Sequence, residues 1–273
     1  MASPAQPQPV PVPSPRSPPG FRSVIFDSQQ LGQQPYLEHL QSLVNEAYLA
    51  SHLDVLSLNE NSYRCDTPDT LVKELGVHGR CCLVFRDEDR QMLKPVAVAM
   101  IKCFNADLGA DPIRRVAVKA GSSFSITTNG CGIIVTGYKQ EPTELLDIEH
   151  WEPTAVAISA KDPSLRRLGL ATHCVAELER DLLERIQTAQ MEKLECTMAT
   201  DNGVETTSSS SSQSQTITFW IRATTRSNAP YWARRGYEPL FVDSFAAGFW
   251  GARLDFEVMT LRKVIPCYST TEC

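Results

Sequence analysis

The 273-residue chain has no run approaching the roughly 18 to 20 consecutive apolar residues that a helix needs to cross a bilayer, so no helical membrane span is expected. It has no excess of positive charge either. Its 26 Lys and Arg stand against 32 Asp and Glu, a formal net charge of -6, and neither a nucleic-acid backbone nor an anionic membrane is an expected partner. The nine cysteines include no CxxC pair, which removes the usual zinc spacing, and no metal is expected. The first twenty residues, MASPAQPQPVPVPSPRSPPG, hold eight prolines and lack the apolar stretch of a secretory signal. Residues 1–22 therefore read as a disordered proline-rich tail, the cysteines as reduced thiols that mostly pack as small apolar groups, and the chain as cytoplasmic.

What is present is a globular composition, 42% apolar and 21% charged. YLEHLQSLVNEAYLASHL, from Tyr36, carries Leu37, Leu40, Val44 and Ala47 at helical spacing. DTLVKELG reads as a second short helix started at Asp66-Thr67-Pro68 and ended by Gly76. RCCLVFRDEDRQMLKPVAVAMIKCF reads as a β-hairpin turning at residues 87 to 90. Residues 105–150 break the pattern and read as an insertion, with GIIVTGY a strand inside it. TAVAISA, residues 154 to 160, is uncharged, as a central strand covered on both faces should be. Ala171, Val175, Leu178, Leu182 and Ile186 then make one helical stripe. A serine tract lies in a second insertion, about 188–215. ITFWIRAT alternates as a strand, SNAPYWARRGYEPL reads as a short helix started near Asn228 and Pro230 and ended by Gly236, and LDFEVMTLRKVI reads as a closing strand.

The order strand, RRLGLA, helix gives the chain its chemical signal. A helix N-terminus carries unpaired amides and about half a positive charge, so a loop feeding it is an anion site in waiting. Gly169 and the small Ala171 leave room for a bulky anion, and Arg166 and Arg167 attract it. Two other phosphate readers do not fit. A dinucleotide-binding loop needs GxGxxG beside an N-terminal strand, and a Walker loop needs GxxxxGK(S/T), which is absent.

In this order of elements, from Tyr36 to Val264, the chain resembles the GCN5-related N-acetyltransferase (GNAT) family, in a fungal-type acetyltransferase-like form. Arg166, Gly169 and Ala171 occupy the defining positions of that family's (Q/R)xxGx(G/A) loop, with Arg167, Leu168 and Leu170 between them, and DPSLRRLGLA is similar to the usual approach into it. The resemblance implies an α/β fold with a mixed central sheet flanked by helices, one domain over 36–264 with the two insertions. It implies acyl transfer to an amine, with acetyl-CoA as donor substrate and a small molecule or a protein amine as acceptor; the alternative is CoA binding without transfer, or use of the fold for other CoA-thioester or carbonyl chemistry. The implied cofactor-binding positions are the loop residues together with Ile158 and Ala160 on the preceding strand, Asn228 and Trp232. A backbone amide between Val156 and Ala160 would polarise the thioester carbonyl.

The family's thiolate acid is a tyrosine in YxxxG(F/Y). Counting back four from Gly236 gives Trp232, whose indole cannot serve, and the nearest hydroxyl is Tyr231. Tyr231 is therefore the candidate acid, with a packing role as its alternative. Asp147, Glu149, His150 and Glu152 lie just upstream of the central strand, and Glu149 and His150 are the candidate bases. His173, in the helix after the loop, reads as a surface residue.

Overall fold

The computed structural model describes residues 17–56, 63–105, 111–118, 138, 140–200 and 216–267. Eight strands form one mixed sheet: β1 (Phe21–Phe26), β2 (Arg80–Arg86), β3 (Ala97–Cys103), β4 (Arg114–Ala117), β5 (His150–Ile158), β6 (Thr216–Thr224), β7 (Glu238–Phe245) and β8 (Phe256–Pro266). They lie in the order β1-β2-β3-β5-β6-β8-β7-β4, and every neighbouring pair is antiparallel except β5 and β6. Parallel neighbours need a long crossover. Here that crossover contains helix α4 (Leu170–Thr200). The expected mixed sheet flanked by helices is thus what the chain forms.

Strand alternation sends side chains of opposite parity to opposite faces. Cys82, Val84, Ala97, Ala99 and Ile101 meet the α4 stripe of Leu170, Cys174, Val175, Leu178, Leu182 and Ile186. Cys81, Leu83, Phe85, Val98 and Met100 face the other way, onto α1 (Ser28–Gly32), α2 (Leu37–Leu56) and α3 (Pro68–Leu75) through Leu31, Leu40, Leu43, Val44, Leu71 and Leu75. Each fully buried leucine of these stripes contributes about 1.5 to 3 kcal/mol. A last helix, α5 (Ala229–Arg234), follows β6 and starts with Pro230 in its first turn.

Several boundaries differ from the sequence expectation. The ordered chain starts ahead of position 36: β1 includes Phe21 and Arg22, inside the segment read as tail, and α1 is capped by Asp27 in a capping box with Gln30. Residues 105–150 are not wholly irregular, because β4 pairs with β7 there and Arg115 forms an ion pair with Asp243. α4 runs on to Thr200, past the expected start of the second insertion. Six residues of GIIVTGY, all but Tyr138, and the serine tract up to residue 215 lie outside the described residues.

Candidate active site

The parallel pair at the middle of the sheet is the structural origin of the site. β5 and β6 are in register only at His150↔Thr218 and Trp151↔Phe219, whereas β6 and β8 pair over nine positions. Beyond Trp151 the two strands part, leaving a wedge that opens toward the C-terminal end of β5. A bulge sets the aim of β5 inside it. Between Val98 and Met100 of β3, β5 uses one extra residue, and Ala155 takes φ +47 to accommodate it. After the bulge, Ser159 donates its N–H to Val96 of β3. Successive strand residues point their amides to opposite neighbours, so Ile158 turns its N–H toward the open wedge.

The loop after β5 is anchored on both sides. Asp162 caps the short turn Pro163–Leu165 through the Ser164 amide at 3.0 Å, and Arg86 of β2 donates to the same carboxylate at 2.5 Å. The Ser164 hydroxyl and Arg86 hold the Asp162 carboxyl below its usual range. Leu165 and Leu170 are fully buried, pinning the ends of the exposed stretch Arg166–Gly169. Within it Arg167 (φ +65) and Gly169 (φ +77) are left-handed, and a Cβ built on Gly169 would have no neighbour within 4 Å. Among the described residues, none of the amides from 167 to 172 donates to a protein acceptor; the first to do so is His173, to the Gly169 carbonyl at 2.8 Å. Six unbonded amides therefore collect at the head of a 31-residue helix, beside the wedge.

α5 brings an aromatic pair to the same region. The Tyr231 hydroxyl lies 3.2 Å from the Thr172 hydroxyl in the first turn of α4, and the Arg235 guanidinium is 5.9 Å from the Tyr231 ring centroid. Trp232 meets the Tyr231 ring edge-on, with ring centroids 5.1 Å apart. It is buried and packs edge-on against Tyr237, whose hydroxyl donates to Glu179. Asn228 precedes α5 and makes no side-chain cap bond. The loop residues, Thr172 and Tyr231 are thus gathered at one end of the wedge.

Glu149 and His150 sit at the other end, where β5 and β6 are still paired. Glu149 is exposed, and its amide donates to the Tyr138 hydroxyl at 2.8 Å. His150 is partly buried and its Nδ1 accepts from the Trp220 indole at 3.4 Å, which leaves the ring proton of the neutral form on Nε2. Burial pushes the His150 pKa down, against an upward pull from Glu149. His173, read as a surface residue, is half-buried and shares a 3.0 Å hydrogen bond with Ser23 of β1.

Sequence reasoning missed the charged cluster on the α2 and α3 side of the wedge. Glu152 accepts from Arg222 of β6 at 2.8, 2.9 and 3.0 Å, and only 9% of its side chain is exposed. Lys102 of β3 stands 3.9 Å from both Glu152 and Glu74, and Arg64 donates to Glu74 at 2.8 and 2.9 Å and to Thr154 at 3.3 Å. One signal was available, since Arg222 is the single charge in ITFWIRAT.

No protein-family profile matches the chain, and no curated protein sequence is significantly similar to it. Solved structures are similar in overall arrangement. An acetyltransferase-like protein from Acinetobacter baylyi is 12% identical, with 90% of this chain and 93% of that one covered, at a TM-score of 0.48. An acetyltransferase of the GNAT family from Streptococcus pneumoniae is 9% identical, with 90% and 99% covered, at 0.44. A GNAT-superfamily phosphinothricin acetyltransferase from Sinorhizobium meliloti, in complex with acetyl-CoA, is 12% identical, with 92% and 91% covered, at 0.43. All three are bacterial, and the fungal-type likeness finds no support in them. Identities near one tenth and scores below 0.5 carry neither substrate nor activity over to this chain.

Proposed function

We propose that the chain is an acyl-CoA-dependent N-acyltransferase that moves an acetyl group from acetyl-CoA to an amine. The observation that carries this reading is the run of unbonded amides at 167 to 172, held open by two left-handed residues after the end of β5 where the wedge between β5 and β6 is open. Backbone amides and a helix dipole favour a pyrophosphate, and the wedge offers a path for the attached pantetheine toward the middle of the sheet.

The reaction forms an N–C bond and breaks a C–S bond, the amine losing one proton and the thiolate gaining one. Four tasks follow: deprotonating the amine, polarising the thioester carbonyl, holding the two in attack geometry and protonating the thiolate. In this reading Arg166, Arg167, Leu168, Gly169, Leu170 and Ala171 seat the pyrophosphate. The wedge-facing amide of Ile158 polarises the carbonyl, and Ala160, Asn228 and Trp232 line the path of the donor. Tyr231, tethered to Thr172, is the proton donor. His150, with Glu149 beside it, stands at the opposite end of β5 from Ile158 and takes the acceptor's proton through a chain of waters along the wedge. The chain carries out this chemistry as a cytoplasmic domain spanning about 36–264, extended at its start by β1 and α1.

A second reading, CoA binding without transfer, is favoured by one observation: the side chain at the family's acid position, Trp232, is buried against Tyr237. Titration with CoA, followed by amide resonances, tests the shared part of both readings. Binding should shift the resonances of residues 167 to 172 most; binding that leaves them in place would remove the loop from the site.

A further inference from the structure

We infer that the amine acceptor carries a carboxylate, seated between Arg222 and Lys102 on the side of the wedge opposite α4. This rests on the acyl-transfer reading and adds the class of acceptor to it.

The cluster joins four parts of the fold. Arg64 comes from the segment before α3, Glu74 from α3, Lys102 from β3, Glu152 and Thr154 from β5, and Arg222 from β6. Extending the short β5–β6 register would set Arg222 opposite Thr154, beyond the last paired residues. Its guanidinium turns back to grip Glu152 from inside the opening. Lys102 and Glu152 are register partners on β3 and β5, so both project from the same face.

Among the described residues, charge and hydrogen bonding are both incomplete there. Three cations, Arg64, Lys102 and Arg222, face two carboxylates, Glu74 and Glu152. Arg222 spends Nε and Nη2 on Glu152 and lies 5.2 Å from the Phe104 ring centroid, while its Nη1 is covered and has no hydrogen-bond partner among the described residues. The Lys102 ammonium, with 20% of its side chain exposed, reaches Glu74 and Glu152 only at 3.9 Å, too far for a hydrogen bond to either. A sheltered donor without an acceptor is costly, and a carboxylate is the group that would accept from Lys102 and, once the guanidinium turns to uncover Nη1, from Arg222, balancing the surplus charge. Donor and acceptor would then approach from opposite faces of the sheet and meet in the wedge. A neutral amine would leave both donors unsatisfied, which makes the site selective as well as attractive.

The experiment compares thiol release from acetyl-CoA with α- and ω-amino carboxylates and with the matching carboxamides. The wild type should favour at least one acid over its amide by about tenfold or more in kcat/KM, the scale of a charge-assisted contact. Lys102→Met should bring that ratio toward one through the KM of the acid, and Arg222→Lys, which keeps a cation beside Glu152, should lower it as well. Propionate should compete with the acceptor where propionamide does not, a comparison that needs no variant. Equal use of acids and amides, a preference that survives both substitutions, or transfer only to uncharged or cationic amines would overturn the inference and leave acyl transfer standing. If CoA binds and no amine provokes thiol release, the acyl-transfer reading fails and this inference with it.

Discussion

Replacing Gly169 in two ways separates backbone strain from charge at the loop. Gly169→Ala adds a Cβ to a residue at φ +77, where nothing lies within 4 Å to collide with it. The cost is therefore conformational, about 1 to 2 kcal/mol for an L-residue in the left-handed region. At about 2 to 4 °C per kcal/mol for a chain approaching this size, the melting temperature should fall by about 2 to 8 °C. Gly169→Glu carries the same strain, but its carboxylate sits at the head of α4, where a negative charge recovers about 0.3 to 1 kcal/mol. Without ligand, the glutamate variant should melt at or slightly above the alanine variant. CoA binding should run the opposite way. A carboxylate in the nest repels the pyrophosphate and competes for the amides of 167 to 172. Losing two charge-assisted hydrogen bonds at about 1.5 to 3 kcal/mol each weakens CoA by a hundredfold or more. Gly169→Ala should lose about tenfold or less. Melting curves and calorimetry on both variants check this. A glutamate variant that binds CoA like the wild type would refute the placement of the pyrophosphate at this loop.

Arg166→Ala should weaken CoA by about 1 to 2 kcal/mol in calorimetry, the worth of a charge-assisted phosphate contact, whereas an effect confined to the acceptor KM would move Arg166 to the other side of the wedge. Tyr231→Phe should lower kcat by about a hundredfold with CoA affinity kept if the hydroxyl is the acid; near-wild-type turnover removes it from the mechanism. Trp232→Ala should cost about 3 to 5 kcal/mol of stability, read by denaturant unfolding, because the indole is buried against Tyr237. Burial pushes the pKa values of His52, His150 and His173 down. The unfolded chain, with imidazoles titrating near about 6.5, thus takes up protons more readily than the folded one, and stability present above that pH declines as pH falls below it. Melting at pH 5.5 should come earlier than at 7.5, and His52→Gln should narrow the gap; equal melting temperatures would contradict the burial of these rings.

The elements that the sequence made legible are those with a clean period and a clear stop. The β2–β3 hairpin, β5, the stripe of α4, β6, α5 and β8 all announce themselves by alternation, by 3.6-residue spacing or by Pro230 and Gly236. β1 was hidden because FRSVIF follows directly on the proline-rich segment, and β7 because Pro239 interrupts its alternation in a strand that pairs on both sides. β4, RRVA, buries none of its residues and exists through its pairing with β7 and the Arg115–Asp243 contact. α4 outruns its apolar stripe because MEKLECTMAT is rich in good helix formers, which hold the helix where periodicity has ended. Within the candidate site the loop was legible, since RRLGLA is a local pattern. The Glu152–Arg222 contact was not, because it depends on the register of two parallel strands 70 positions apart in the chain.

The central claim is that the loop and the wedge together perform acetyl transfer to an amine, and the most direct test is thiol release from acetyl-CoA by the wild-type protein with and without amines. The account predicts release that depends on an amine, matched mole for mole by its N-acetyl product and lost in Gly169→Glu. CoA binding unaccompanied by any amine-dependent release would contradict it.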